Sequence, residues 1–597
     1  MQARATAVGL ILLLLVLSGG AALRESVTSD EVAHIGAGLS YLQRLDMRMN
    51  EEHPPLAKVL AAIPLALRGA RADYASPAWS LSADFAQATL GEWVFGDYVL
   101  TRWNEPAATL AWARLPLLLL TAGLGWLIFV LARRLGGDWG GLLSLTVYVG
   151  NPVFLAFGPL VVTDVAIAFF FLLTLWRMAA LWDEPSGANT RRLALALAGA
   201  ILSKFTAPLL FFVFLAAALT ARWRPLAGGP PWRAMGRATL WAAVLVYGCY
   251  FVLSWSQPMD IPVLAGGGAA GAALGRLLMP AWLVLRGLAW VVITGDRPRF
   301  LLGQAYPHGV WFYFPVLLAL KSAPGFLGLL ALGGGIAVVE RQSPGVVPRA
   351  HTTFWRFLWV GLALYVAICL VSRMNIGIRH FSVPLVLMML LLAPLPRLLT
   401  RLPTHIPRFA VAVLAVSCLV TVVRAYPFYI PYLSPFGFGL PSYWLVNDSN
   451  LDWNQGLPEV ASFARRQGLR DVPLDMYGFS GAASLVPQAR IWDCQSPSDA
   501  DGGLHAVVSA NMILDAHNCV WLMNYPYERL AGGSMYAVQL PPVIPPPGTP
   551  GGPPQAGSRQ IFMRAPFDIR HLLQRLVQRP EEIPRVLAEI QERIGRH

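Results

Sequence analysis

The chain has 597 residues, of which 56% are hydrophobic and only 13% charged, about half the charge of a soluble protein. That excludes a soluble multidomain enzyme, a disordered chain and a disulfide scaffold, and a mean hydropathy of +0.52 reads as a polytopic membrane protein. The formal charge of +13 is explained by arginine-rich cytoplasmic loops rather than by a nucleic-acid surface.

In chain order, the first apolar stretch is 5–23. Its core, 10–17, has the length of a signal-peptide h-region, but the polar residues just beyond it favour a retained span. Further spans are predicted at 111–132, 142–160 and 166–181, at a short pair 193–202 and 208–220, and at 239–253. The last four are 309–339, broken at Pro324, then 357–371, 381–395 and 409–423, making eleven. Alternate short loops hold fifteen arginines and four acidic residues, which makes those loops and the N-terminus cytoplasmic.

The opposite face then carries a first loop 24–110, turns at 162–165 and near Lys204, a second long loop 254–308, a turn at 372–380 and the tail. The transmembrane module therefore covers 1–424. An extracytoplasmic domain of α/β type covers 425–597, with a helix at 457–467 and strands at 472–477, 506–508, 520–524 and 535–540. A Pro/Gly-rich linker at 541–554 and amphipathic helices at 571–578 and 583–594 close the chain. The five cysteines form no CxxC motif. Cys494 and Cys519, both in the outer domain, are compatible with a disulfide and equally with two buried thiols.

Several polar groups sit where apolar stretches end. Thr28-Ser29-Asp30-Glu31 follows the first span, and Asp30 and His34 share a helix face, with Ser29 or Asp30 as a cap. Asn50-Glu51-Glu52-His53-Pro54-Pro55 lies further along the loop, where Glu52 and His53 form either a metal-ligand pair or an anchoring turn. Asp164 stands alone in the turn 162–165, as a helix cap or as a second carboxylate beside a general base. Only three of the 46 basic residues are lysines: Lys58, Lys204 and Lys321. Lys204, Lys321 and Arg379 break the positive-inside pattern; any one of them is equally compatible with snorkelling to lipid phosphates, but three such cations on one face suggest a pocket for an anionic lipid head group.

These residues together resemble the GT-C membrane glycosyltransferases, nearest the branch of the protein O-mannosyltransferases and the aminoarabinose lipid A transferases. The resemblance rests on Asp30-Glu31, on His53-Pro54-Pro55-Leu56 with Lys58, on Thr163-Asp164, on Lys204 and on Arg379-His380. The tail Asp448-Ser449-Asn450-Leu451-Asp452-Trp453-Asn454-Gln455 is similar to a DSNxDWGQ-type motif, with Asn454 in place of glycine.

The resemblance implies transfer of a sugar from a polyprenyl-phosphate donor to a lipid, glycan or protein acceptor. The setting is the extracytoplasmic face of a bacterial-type plasma membrane, and the reaction is inverting. It implies Asp30 as general base, with Asp164 and Glu31 also catalytic, and Lys204, Arg379, Lys321 and His380 as ligands of the donor phosphate. Glu52, His53 and Lys58 form the first-loop motif, and Glu52 with His53 is the place for a divalent cation if one is used. A transporter or lipid flippase is the alternative, although the chain shows no internal repeat. A third reading makes the outer domain a binding module on a membrane anchor.

Overall fold

The computed structural model describes the chain except residues 82–84, 224–225, 227, 259–260, 262–263, 265–267, 296–298, 340–346, 401–404, 479, 495–504, 517–518, 546–547, 550–551, 553–581 and 583–597. The terminal helices expected at 571–578 and 583–594, and part of the linker 541–554, lie outside the described residues. The membrane-side helices run α1 (Gln2–Ala22), α2 (Ser29–Arg44), α3 (Leu56–Leu67), α4 (Pro77–Ser80), α5 (Phe85–Thr101), α6 (Pro106–Val149) and α7 (Pro152–Phe157). There follow α8 (Asp164–Asp183), α9 (Gly187–Ser203), α10 (Leu209–Thr220), α11 (Trp232–Leu253), α12 (Gly268–Thr294) and α13 (Tyr313–Lys321). The rest are α14 (Pro324–Val339), α15 (Thr352–Val371), α16 (Ser382–Leu391), α17 (Leu395–Leu399) and α18 (Ile406–Ala425). A hairpin, β1 (Arg299–Leu301) and β2 (Gln304–Tyr306), sits between α12 and α13.

Among the described residues, eight helices are long and apolar enough to cross a membrane, or nine if α13 and α14, bent by 116° at the break before Pro324, count as one. The expected span 111–132 lies in the first arm of α6, which turns about Gly137 at φ 74°, a conformation that glycine adopts freely, while 142–160 begins in its second arm and continues through α7. The pair 193–202 and 208–220 became α9 and α10, the latter only 12 residues long.

The second long loop is not a loop throughout, since α12 is apolar and 27 residues long. Arg276, Pro280 and Arg286 interrupt its apolar run and hide it from a window reading. Its contacts tie it to α11 and to the first loop: the Leu277 carbonyl accepts from Tyr247 of α11, and Arg286 pairs with Glu51.

In the first loop, α2 packs between α3 and α5 by backbone contact. A Cβ on Gly96 would lie 2.0 Å from the Val32 carbonyl oxygen, and one on Gly38 would lie 2.2 Å from that of Lys58. Gly96→Ala is therefore expected to push α5 off α2 at a cost of about 1–3 kcal/mol. A lowered Tm in detergent is the check, and an unchanged Tm would disprove the close packing.

The C-terminal part holds a five-stranded mixed sheet in the order β4-β3-β5-β7-β6, made of β3 (Val472–Asp475), β4 (Ala489–Ile491), β5 (His505–Ser509), β6 (Tyr527–Leu530) and β7 (Met535–Gln539). Three helices accompany it: α19 (Ser442–Leu445), α20 (Leu457–Arg466) and α21 (Ala482–Leu485). The apolar face of α20, with Leu457, Val460, Phe463 and Ala464, packs on Val472, Leu474 and Val507 of the sheet. The expected strands at 472–477, 506–508 and 535–540 are β3, β5 and β7. The segment 520–524 is a 3-10 helix (Cys519–Asn524) instead, and it begins at the cysteine bonded to Cys494. The short edge strands β4 and β6 were not anticipated.

Candidate active site

Four separate segments deliver charged side chains to one place. Asp30 enters from the first turn of α2. That turn is held by a capping box in which Thr28, rather than the expected Ser29 or Asp30, is the cap and Glu31 reaches back to the Thr28 amide. Asp164 opens α8, where a carboxylate is favoured by the helix dipole. Lys204 follows the last residue of α9 in extended backbone. Arg379 and His380 lie in a 3-10 turn (Ile378–Phe381) leading into α16.

The result is an alternating ion network. Lys204 Nζ donates to Asp164 Oδ1 at 2.5 Å, Arg379 Nη1 donates to Asp30 Oδ2 at 2.9 Å, and the same nitrogen lies 3.5 Å from Asp164 Oδ2. The Asp30 side chain is 23% exposed against 1% for Asp164, so one carboxylate is open and the other sealed. His380 Nδ1 lies 3.2 Å from Lys204 Nζ. An ammonium can only donate, so Nδ1 accepts and the ring proton of a neutral His380 sits on Nε2. That Nε2 and the Arg379 Nε are both buried without a hydrogen-bond partner. Two unpartnered donors beside a lysine are a donor set that suits an anion.

The tail motif forms one wall. The Trp453 ring lies under the Arg379 guanidinium, 4.1 Å from Cζ to the centroid. Asn450 Oδ1 accepts from the Ile378 amide, and Ser449 Oγ donates to the Ile376 carbonyl. Asn454 adopts φ 77°, the left-handed conformation that glycine would supply and asparagine tolerates, so the tight turn is present despite the substitution.

A second cluster adjoins the network. Ligand atoms of His34, Glu52 and His53 all lie within 4.8 Å of one another. His34 Nδ1 lies 2.6 Å from the Val161 carbonyl, to which it must donate, leaving a buried Nε2 without a partner. Burial and then Lys58 push His34 down to about 4, and burial together with His34 holds His53 well below the usual histidine value. Both rings are thus neutral at pH 7, as metal ligands must be. Burial and then Asp30 raise Glu52, whose carboxylate accepts from Trp290 Nε1 at 3.2 Å. Two imidazoles and one carboxylate suit a borderline cation such as zinc.

Three expected site residues have other partners. Glu31 is fully buried in a bidentate pair with Arg114, at 2.9 and 2.5 Å, and also accepts from the Val161 amide, so it has no lone pair left for an acceptor proton. Lys321 spends its three protons on the carbonyls of Ile430, Tyr432 and Asn450 at 2.6–2.8 Å, so it ties the tail down and is not a phosphate ligand. Lys58 donates to Tyr41 Oη and to the Asn50 and His53 carbonyls, shaping the loop that presents Glu52 and His53. Cys494 and Cys519 form a disulfide. Sequence reasoning missed Arg114, whose signal was a lone charge inside the apolar run 111–132, and the part played by Trp453.

Residues 108–255 match the model of a family described as dolichyl-phosphate-mannose-protein mannosyltransferase. No curated protein matches the chain. Among solved structures, the Saccharomyces cerevisiae protein O-mannosyltransferase Pmt1-Pmt2 complex bound to the sugar donor aligns at 18% identity, covering 43% of this chain and 33% of that one, with a TM-score of 0.31. The Archaeoglobus fulgidus oligosaccharyltransferase in the apo form aligns at 11% identity over 72% of this chain and 55% of its own, with a TM-score of 0.43. ArnT from Cupriavidus metallidurans bound to undecaprenyl phosphate aligns at 14% identity over 89% and 98%, with a TM-score of 0.45. The chain thus spans a third of the yeast protein and just over half of the archaeal one. The stretch 108–255, which holds Arg114, Asp164 and Lys204, is similar to the dolichyl-phosphate-mannose-protein mannosyltransferases, and the resemblance to GT-C membrane glycosyltransferases read in the sequence is borne out by that match.

Proposed function

We propose that this protein moves a sugar from a polyprenyl-phosphate donor to a lipid, glycan or protein acceptor. The site of reaction is the extracytoplasmic face of a bacterial-type plasma membrane, with the N-terminus cytoplasmic. The observation that carries the reading is the pair of orphan donors, Arg379 Nε and His380 Nε2, buried next to Lys204 and two carboxylates. Most buried donors are paired, and a phosphodiester oxygen would give both of these a partner.

In this reading Asp30, the more open carboxylate, takes the proton from the acceptor hydroxyl as the acceptor oxygen bonds to the sugar's anomeric carbon. The bond from that carbon to the phosphate oxygen breaks on the opposite side. Lys204, Arg379 and His380 receive the departing polyprenyl phosphate. No covalent intermediate is required, so the anomeric configuration inverts. Asp164 orients Lys204 and Arg379 rather than meeting the acceptor, because it is sealed. A divalent cation bound by His34, Glu52 and His53 would supply a Lewis-acid contact to a phosphate oxygen.

The test is incubation of purified protein with a panel of polyprenyl-phosphate sugars, with and without a chelator, followed by mass spectrometry of lipid, glycan and protein acceptors. A mass gain of one sugar on an acceptor is expected. Movement of labelled lipid across proteoliposomes without any transfer would overturn the reading in favour of a transporter.

A further inference from the structure

The tail motif 448–455 touches both halves of the Asp30–Arg379 pair through its backbone and side chains. On the Asp30 side, the Trp453 carbonyl accepts from the Ser29 amide at 3.0 Å, and the Gln455 carbonyl accepts from the Ser26 amide at 3.1 Å. Ser26 Oγ donates to the Asn454 carbonyl at 2.5 Å, and Asn454 Nδ2 donates to the Val27 carbonyl at 3.2 Å. Segment 26–29, the entry to α2, is thereby fastened to 453–455. On the Arg379 side, Asn450 Oδ1 takes the Ile378 amide at 3.0 Å, Ser449 Oγ donates to the Ile376 carbonyl at 2.7 Å, and the Arg379 Cζ lies over the Trp453 ring, 4.1 Å from its centroid.

The same motif is rooted in the outer domain. Asp452 Oδ2 accepts from Ser509 Oγ at 2.5 Å, at the end of β5. Asn511 Nδ2 donates to the carbonyls of Asp448 at 3.3 Å and Asp452 at 2.7 Å. Asn454 Nδ2 also reaches the Ser480 carbonyl at 2.8 Å. Asp452 and Trp453 are buried, so these bonds are screened little by water.

We propose that Trp453 is a positioning residue for Arg379, and that through it the outer domain sets the geometry of the Asp30–Arg379 pair. The inference rests on the sugar-transfer reading for its kinetic consequence, but not for its structural one. An indole under a guanidinium holds the fork in place without taking any of its five donors, which leaves the unpartnered Nε–H free for a ligand. A carboxylate in that place would hold Arg379 as firmly but would compete with the phosphate for it.

Two measurements on the full chain test this. In thermal unfolding, Trp453→Ala and Arg379→Met are expected to lower Tm less than additively when combined, because each removes the other's partner; strict additivity would overturn the contact. In donor kinetics, Trp453→Ala is expected to raise KM for the polyprenyl-phosphate sugar at least tenfold with a smaller fall in kcat. Trp453→Phe, which keeps a π face, is expected to stay within threefold of wild type. Equal impairment of the Ala and Phe variants, or none in either, would overturn the positioning role. Ser509→Ala, outside the ion network, is expected to raise donor KM about threefold while the disulfide-bonded domain stays folded; an unchanged KM would remove the outer domain from the argument. Absence of turnover in the wild-type protein would sink the sugar-transfer reading, while the Tm cycle would still decide the contact.

Discussion

Asp30→Asn is expected to lower turnover of the sugar-transfer reaction by about 10²- to 10⁴-fold, the usual worth of a positioned general base, while the KM for the lipid-phosphate donor stays level or falls. The second half of that result is the discriminating one. Arg379 donates to Asp30 and lies near Asp164. Removing the Asp30 charge takes away a competitor for Arg379 and leaves the sealed Asp164 to hold it. Donor phosphate should then bind at least as well. If Asp30 served only to brace Arg379, the same substitution would raise donor KM and spare kcat. Single-turnover kinetics with donor titration separate the two outcomes, and unchanged kcat would exclude Asp30 as the base.

The largest expected loss of stability comes from the buried pair of Glu31 and Arg114. Arg114 donates to both carboxylate oxygens of Glu31 and to the carbonyls of Ala22, Glu25 and Ser26, while Glu31 also accepts from Thr28 and from the Val161 amide. One pair thus joins the end of α1, the start of α2, α6 and the turn that precedes Asp164. Both side chains are essentially out of solvent, at 3% and 0% exposure. Glu31→Gln leaves the guanidinium uncompensated in a buried site, which costs about 3–5 kcal/mol. A large drop in Tm is expected. The double replacement Glu31→Leu with Arg114→Met should recover part of it, since removing both charges also removes their desolvation penalty. A double variant no better than the single one would contradict this account.

The same pair carries a pH dependence with a definite sign. Burial alone would raise the Glu31 carboxyl, but Arg114 and the amides of Thr28 and Val161 outweigh it, so the folded value lies below the ordinary glutamate value. A lowered carboxyl pKa stabilises the folded state above the unfolded value and ceases to do so as pH falls through the folded one. The contribution is therefore complete at neutral pH and lost in acid below about pH 4.5. In Glu31→Gln the part of the acid sensitivity due to this group should vanish, which Tm measured across pH 3 to 7 would reveal.

Much of the site was legible because charge at the edge of an apolar run is expensive and therefore conspicuous. Asp30, Asp164, Lys204, Arg379 and His380 were all picked out on that ground, and the structure brings them together. The same rule also picked out Lys321 and Glu31, and there it misled. Both obey it, but their partners are backbone carbonyls in one case and Arg114 in the other. A residue type at a membrane edge tells that a partner must exist and is silent on which. The long helix α12 escaped for the opposite reason: two arginines and a proline broke a run whose helix survives them.

By itself the sequence determined the solvent of this protein, most of its apolar helices, the α/β character of the C-terminal part and the list of charged groups from which a site had to be drawn. Each of these follows from composition and short-range periodicity, which are local properties. Only the tertiary structure decided which of those groups are spoken for and which retain free donors. Asp30 and Arg379 are 349 residues apart and Lys321 and Asn450 are 129 apart, and no local pattern encodes a partner at that separation. It also turned the tail motif from a sequence signature into the wall against which Arg379 lies, because burial of Trp453 between two distant segments is a property of packing rather than of neighbours in the chain.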